Sequence, residues 1–209
     1  MPNWCSCEMV IYSPNEKSKD NLSVVYNKLV EAKNLADKHK LWHLYTAFAL
    51  LNGDKPEVKS TNIPDDYCNN GYIRGTIGYI ETLGDGAIRV GYDSAWNDMV
   101  EGWNYLLEKY NLKQVTKAIE CGCELYLNTD KEGKYFPERY LIDCCKNNEY
   151  YWEEFETEEG AVKFFNEIYK QKFETQEQCI EWFENVYNVG NDNPDAENDF
   201  LNFYKYDLE

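Results

Sequence analysis

GYIRGTIGYIETL (Gly71–Leu83) and AIRVGY (Ala87–Tyr92) read as two strands, and the GDG between them (Gly84–Gly86) is a short glycine-bearing connection of the kind that closes a β-hairpin. Outward from this hairpin, each flank carries helix and then strand. Upstream, Trp4 to Tyr12 alternates, with Cys5, Cys7, Met9 and Ile11 on one face and Ser6 and Glu8 on the other, the period of a half-buried strand that Pro14 and Asn15 close. From about Asp20 the spacing becomes Leu22, Val25, Tyr26, Leu29, Val30, the stripe of an amphipathic helix reaching at least Asp37. A second helical stretch spans Leu41 to Leu51; Asn52-Gly53-Asp54-Lys55-Pro56 stops it, and the polar run to Asn70 reads as a loop. Downstream, a helix starting near Asn97 carries Met99, Val100, Trp103, Leu106, Leu107 and Tyr110. Val115 to Leu127 then alternates over a long span, with Val115, Ile119, Cys121, Cys123, Leu125 and Leu127 sharing a face interrupted by Lys117, which predicts one continuous strand. The running order is β-α-β-β-α-β, an α+β arrangement.

Beyond it, Arg139 to Cys145 and Glu149 to Phe155 read as two more strands joined by Lys146-Asn147-Asn148. A repeat at a period of 18 residues follows: Phe155-Glu156-Thr157 through Phe164-Phe165 and Tyr169 matches Phe173-Glu174-Thr175 through Trp182-Phe183 and Tyr187. Two similar helices are implied. Thr157 and Thr175 are suited to cap them, Thr175 with Gln178 as a capping box, and the glutamates in each first turn suit the positive end of the helix dipole. The tail from Gly190, with Asn191-Asp192-Asn193-Pro194-Asp195, reads as a loop leading to a last aromatic segment, Phe200 to Tyr206. The expected organisation is an α+β domain over 1–156, with a helical and loop insertion at about 38–70, and an acidic helical extension over 157–209 packed on the same domain.

Apolar residues make up 43% of the 209 and aromatics 16%, ample material to bury, so a folded chain rather than a disordered one is expected. The first residues lack a basic stretch followed by an apolar run, and no window approaches the ~18 apolar residues of a membrane span, so a cytoplasmic protein is expected. In that setting the eight cysteines are expected to remain thiols. The net charge of −17 is uneven: Glu149 to Glu209 holds 17 acidic against 4 basic residues, net −13. Such a field repels phosphate backbones and anionic lipid, which disfavours direct nucleic-acid or membrane binding and favours a basic protein partner. Solubility alone is the competing explanation of the charge. The expected acidic interaction surface comprises Glu153, Glu154, Glu156, Glu158, Glu159, Glu177, Glu181 and Glu184.

The opening Met1-Pro2-Asn3-Trp4-Cys5-Ser6, followed by an alternating strand, resembles the start of the YubB-like proteins of plasmids and phages. Ser94-Ala95-Trp96, just before the central helix, is a second point of similarity, although Asn97-Asp98 stand where that family often has prolines. The resemblance covers the chain to about Asp130 and leaves the C-terminal helices unaccounted for. It implies a ferredoxin-like core and a mobile-element origin, in agreement with the β-α-β-β-α-β order, and it supplies no catalytic residue.

No catalytic constellation stands out. Cys5-Ser6-Cys7 and Cys121-Gly122-Cys123 each place two sulfurs on one face of an expected strand, and in a ferredoxin-like sheet those strands are neighbours, so four thiols are candidates for a tetrahedral zinc site. One intervening residue is fewer than structural zinc sites use, and both pairs sit among Met9, Ile11, Ile119 and Leu125, where cysteine acts as a small buried hydrophobe. His39 and His43, the chain's two histidines, are four apart and could share a helix face as in some metal sites, but no glutamate follows His39 in the metalloprotease pattern, and a partly exposed helix face is the competing explanation. Gly84 and Gly86 lack the third glycine of a dinucleotide site. Trp4 and Tyr12 resemble base-stacking aromatics but lack basic support. The sequence therefore favours a non-enzymatic protein that binds a basic partner without a cofactor. The alternative is a metal-binding or hydrolytic domain built on the cysteine pairs or on a carboxylate cluster.

Overall fold

Nine residues of strand β1 (Trp4–Tyr12) form the spine of the first sheet, and the chain then enters a 21-residue helix, α1 (Lys19–His39). The structure is a computed structural model that describes residues 3–56, 73–187 and 199–208. Most of the expected 52–70 loop, Cys68 and the 191–195 tail loop lie outside the described residues.

Helix α1 buries Leu22, Val25, Leu29, Ala32 and Ala36, one apolar stripe at three- and four-residue spacing. It ends at Lys40, whose left-handed backbone (φ 58°) directs its N–H back to the Ala36 carbonyl. Helix α2 (His43–Asn52) follows, apolar nearly all round and correspondingly buried. Strands β2 (Gly75–Thr82) and β3 (Ile88–Ala95) form the expected hairpin, closed by Leu83 N to Ala87 O at 2.8 Å and Gly86 N to Leu83 O at 2.9 Å. Gly86 takes φ 84°, which favours glycine. Gly91 on β3 is required for a different reason: the Tyr79 ring lies 2.2 Å from where a Cβ would stand, beside a register shift between Ile77 and Tyr79. Helix α3 (Val100–Glu108) starts after Met99 (φ 61°), with the Asp98 carboxylate accepting from Val100 N at 2.8 Å.

Strand β4 (Lys113–Glu120) corrects the expected Val115–Leu127 strand. The chain reverses in a 3-10 turn at Cys121–Cys123, and β5 (Leu125–Asn128) runs back antiparallel along β4, Glu120 opposite Leu125 and Lys117 opposite Asn128. Alternation cannot register this reversal, which depends on Glu120 Oε1 accepting from Gly122 N at 2.9 Å and on the left-handed Glu124 (φ 54°). The facing differs too. Cys7 pairs with Ala118 and Met9 with Thr116, so Gln114, Thr116 and Ala118 share the side of the buried cysteines, and Val115 and Ile119 take the other. The polar pair on the inner side is satisfied: Thr116 Oγ1 donates to Gln114 Oε1 at 2.6 Å, and Gln114 Nε2 to Asn104 Oδ1 at 3.0 Å.

The first sheet has the order β2-β3-β1-β4-β5, every pair antiparallel. Its core lies between the sheet and α1, α2 and α3, with Trp103 edge-on to Phe48 at 4.7 Å and both fully buried.

The chain divides into two compact units, Met1–Thr129 and Asp130–Glu209. The division expected at 156/157 thus differs from the one found, because β6 (Tyr140–Lys146) pairs with both β7 (Glu149–Phe155) and β8 (Phe200–Lys205) in a separate three-stranded antiparallel sheet, order β7-β6-β8. Asn147 (φ 50°) and Asn148 (φ 65°) turn β6 into β7, two successive left-handed residues matching the twist of a tight hairpin. Helices α4 (Glu158–Tyr169) and α5 (Gln176–Trp182) cover one face, packing Phe165, Tyr169, Cys179 and Phe183 against Tyr140, Ile142 and Cys144. Thr157 caps α4 through Gly160 N at 3.2 Å, and Thr175 caps α5 through Gln178 N at 3.4 Å. Gln178 returns a bond one residue earlier than a capping box does, to Glu174 N at 2.8 Å. The α5 axis continues in a π-helical turn, Phe183–Tyr187.

Candidate interaction surface

Reactive chemistry requires groups that converge, and the two histidines do not. His39 closes α1 and His43 opens α2, with the left-handed Lys40 between, so a shared helix face does not form. His43 is held structurally: Nε2 lies 3.0 Å from Asp37 Oδ1, and Nδ1 accepts from Ile77 N at 3.0 Å.

Cys121 is also parted from the first cysteine pair, and the Cys123 side chain lies outside the described residues. Cys5 and Cys7 are buried under the helices with their sulfurs 3.5 Å apart, whereas Cys121 is exposed on the turn after β4. Among the described residues, no group of three or more His, Cys, Asp or Glu side chains has metal-holding geometry. The Cys7 hydrogen bond and burial hold the Cys5 thiol well above its ordinary range. Burial likewise pushes Cys144 up to about 11 and Cys179 up to about 12. A thiolate is the nucleophile and metal ligand, so these are inert packing groups at neutral pH.

The eight glutamates occupy three places. Glu153 and Glu154 stand on opposite faces of β7, Glu153 opposite Ile142 and Glu154 opposite Leu141, and Glu154 accepts from the Tyr206 hydroxyl. Glu156, Glu158 and Glu159 lead into α4, and Glu158 Oε1 accepts from Gln176 N at 3.0 Å, which brings the α4 and α5 N-termini together. Glu177, Glu181 and Glu184 follow one another at four- and three-residue spacing along the outer side of α5 and its continuation, opposite buried Cys179 and Phe183. Backbone and Thr175 hydrogen bonds hold the Glu177 carboxyl below the ordinary carboxylate range. Glu153, Glu156, Glu159, Glu177, Glu181 and Glu184 are exposed, and among the described residues none lies within 4 Å of a lysine or arginine nitrogen.

Sequence reading does not single out Asp143, which is buried in the middle of β6 on the face turned away from α4 and α5. Its position between Ile142 and Cys144 is the only signal, since alternation sends it to their opposite side. Trp4 is exposed and tilts against Trp42 at 5.9 Å. Among the described residues, no helix is long and apolar enough to cross a membrane. No family model, curated protein or solved structure matches the chain.

Proposed function

We propose that this chain is a non-enzymatic, cytoplasmic protein of mobile-element type that binds a basic protein partner through the acidic surface of α4, α5 and the adjoining strand. The observation that carries the reading is the concentration of charge: net −13 over Glu149–Glu209, with six of the glutamates exposed and, among the described residues, none of the six in a salt bridge. Like charges held at helical spacing on a rigid element raise a local negative potential, which steers a basic surface into contact. Among the described residues, neither histidine is placed as a base beside a nucleophile, which supports the non-enzymatic reading. We read the first unit as a ferredoxin-like core of the YubB-like kind, a reading supported by the antiparallel order β4-β1-β3-β2 within the first sheet, with β5 added at one edge.

The test is a titration with an oligolysine peptide, followed by calorimetry at low and physiological salt. Wild type binds with an affinity that falls steeply with salt, and the triple variant Glu177→Lys, Glu181→Lys, Glu184→Lys loses it. Binding untouched by this reversal removes the reading.

A further inference from the structure

The second sheet has a face that α4 and α5 do not cover. In the register of β7-β6-β8, Asp143 stands opposite Trp152 on one side and Asn202 on the other, and the next position along the same face sets Cys145 between Tyr150 and Phe200. The rings at that end are open to solvent: Tyr150 is 61% exposed, Trp152 39% and Phe200 36%, and the Tyr150 and Phe200 ring centroids lie 6.3 Å apart. Asp143 beneath them is 8% exposed. Its Oδ2 accepts from Asn202 Nδ2 at 3.3 Å, while Oδ1 is buried without a hydrogen-bond partner.

A buried carboxylate oxygen with no donor is costly to keep, by about 1–3 kcal/mol, and native structures retain few of them. Among the described residues, no lysine or arginine nitrogen lies within 4 Å of this carboxylate either. Lys146 and Lys205, the lysines of the three strands, both stand on the other face, Lys146 donating to Ile168 O at 2.6 Å and Lys205 lying over the Tyr140 ring. Aromatic rings carry negative potential on their faces, so a cation resting on Trp152 or Tyr150 is attracted by the ring and by the Asp143 charge below it.

We propose that the aromatic end of this sheet face, Tyr150, Trp152 and Phe200 over Asp143, is a docking site for an arginine side chain of a basic protein partner. A guanidinium matches the site better than an ammonium: it is planar, weakly hydrated and stacks on aromatic faces while keeping N–H groups free to turn toward a carboxylate. The proposal rests on the basic-partner reading and gives it a specific anchor, with the glutamates of α5 supplying long-range attraction and the ring-and-carboxylate pair supplying side-chain selectivity.

The experiment compares a hexa-arginine with a hexa-lysine peptide by calorimetry. Wild type is expected to bind hexa-arginine about fivefold more tightly than hexa-lysine, a preference that Asp143→Asn and Trp152→Leu each abolish and Trp152→Phe retains in part. Circular dichroism and thermal melts check that each variant is folded, and Tyr150→Ala, exposed and outside the core, supplies a readout if Asp143→Asn is unstable. If the α5 triple reversal abolishes binding of both peptides while Asp143→Asn and Tyr150→Ala leave the arginine preference intact, the arginine site is refuted and the acidic-surface reading survives. If the preference follows Asp143 and Trp152 and ignores the α5 reversal, the site stands and that surface is refuted. Absence of binding by wild type to either peptide overturns both.

Discussion

Replacing Phe165 by alanine tests what holds the second unit together. The ring is fully buried, stacked on Tyr169 at 4.6 Å and 28°, and set among Phe173 and an edge-on Trp182, each at 6.1 Å. Those neighbours are themselves interlocked, Tyr169 lying 5.8 Å from Trp182 and 5.7 Å from Phe183, so they have little freedom to collapse into the space vacated. A Phe→Ala change in such a setting costs about 3–5 kcal/mol, and the rigid surroundings put Phe165→Ala in the upper half of that range. Loss of the stacked pair contributes about 1 kcal/mol of it. The Asp130–Glu209 unit, at about 0.05–0.15 kcal/mol per residue, has total stability on the order of 4–12 kcal/mol, so the substitution removes a third or more of it. Phe165→Leu refills much of the volume and is expected to cost about 1.5 kcal/mol. Urea unfolding followed by near-ultraviolet circular dichroism reads both, provided the slope against denaturant is unchanged. An alanine cost below about 1.5 kcal/mol, or a leucine cost equal to alanine's, refutes the argument.

Three further outcomes are expected. Thr157→Ala removes the α4 cap to Gly160 and should cost about 1 kcal/mol by thermal melting, with Thr157→Ser close to wild type. At the β6–β7 turn, Asn148 (φ 65°) tolerates glycine, whereas Asn148→Val should destabilise by about 1–2 kcal/mol in the same assay. Cys144 and Cys179 titrate near 11 and 12 in the fold against an ordinary 9.0, so the unfolded chain releases their protons first. Their contribution is therefore complete below about pH 9 and declines as pH rises toward 11 and 12; burial of Tyr169 acts with the same sign, and Cys144→Ala should flatten the alkaline loss of stability measured by urea titration.

Local pattern carried much of this fold. The bounds of β1, the α1 stripe, the glycine hairpin and both threonine caps follow from periodicity and turn chemistry, since each is decided within a few residues. The failures share a cause. At Cys121–Cys123 alternation persists through a reversal fixed by a side chain–backbone bond, and at β4 the inner face is polar because Gln114 and Thr116 satisfy each other, which hydrophobicity cannot anticipate. His39 and His43 are parted by a single left-handed residue. The pairing of β6 with β8 spans some 60 residues of chain, and no local signal encodes which of several strands will be neighbours. The same distance hid the grouping of Asp143 with Phe200 and Asn202.

Strand β7 ends the second sheet, and among the described residues one of its sides offers a row of backbone donors and acceptors with no partner strand in that sheet. Glu149, Glu153 and Glu154 line that border. Two copies approaching border to border bring six carboxylates into one seam, so the acidity acts as a barrier to fibrous self-association. Close to the isoelectric point of about 4.5, where the net charge of the whole chain vanishes, the repulsion that keeps two such borders apart is weakest.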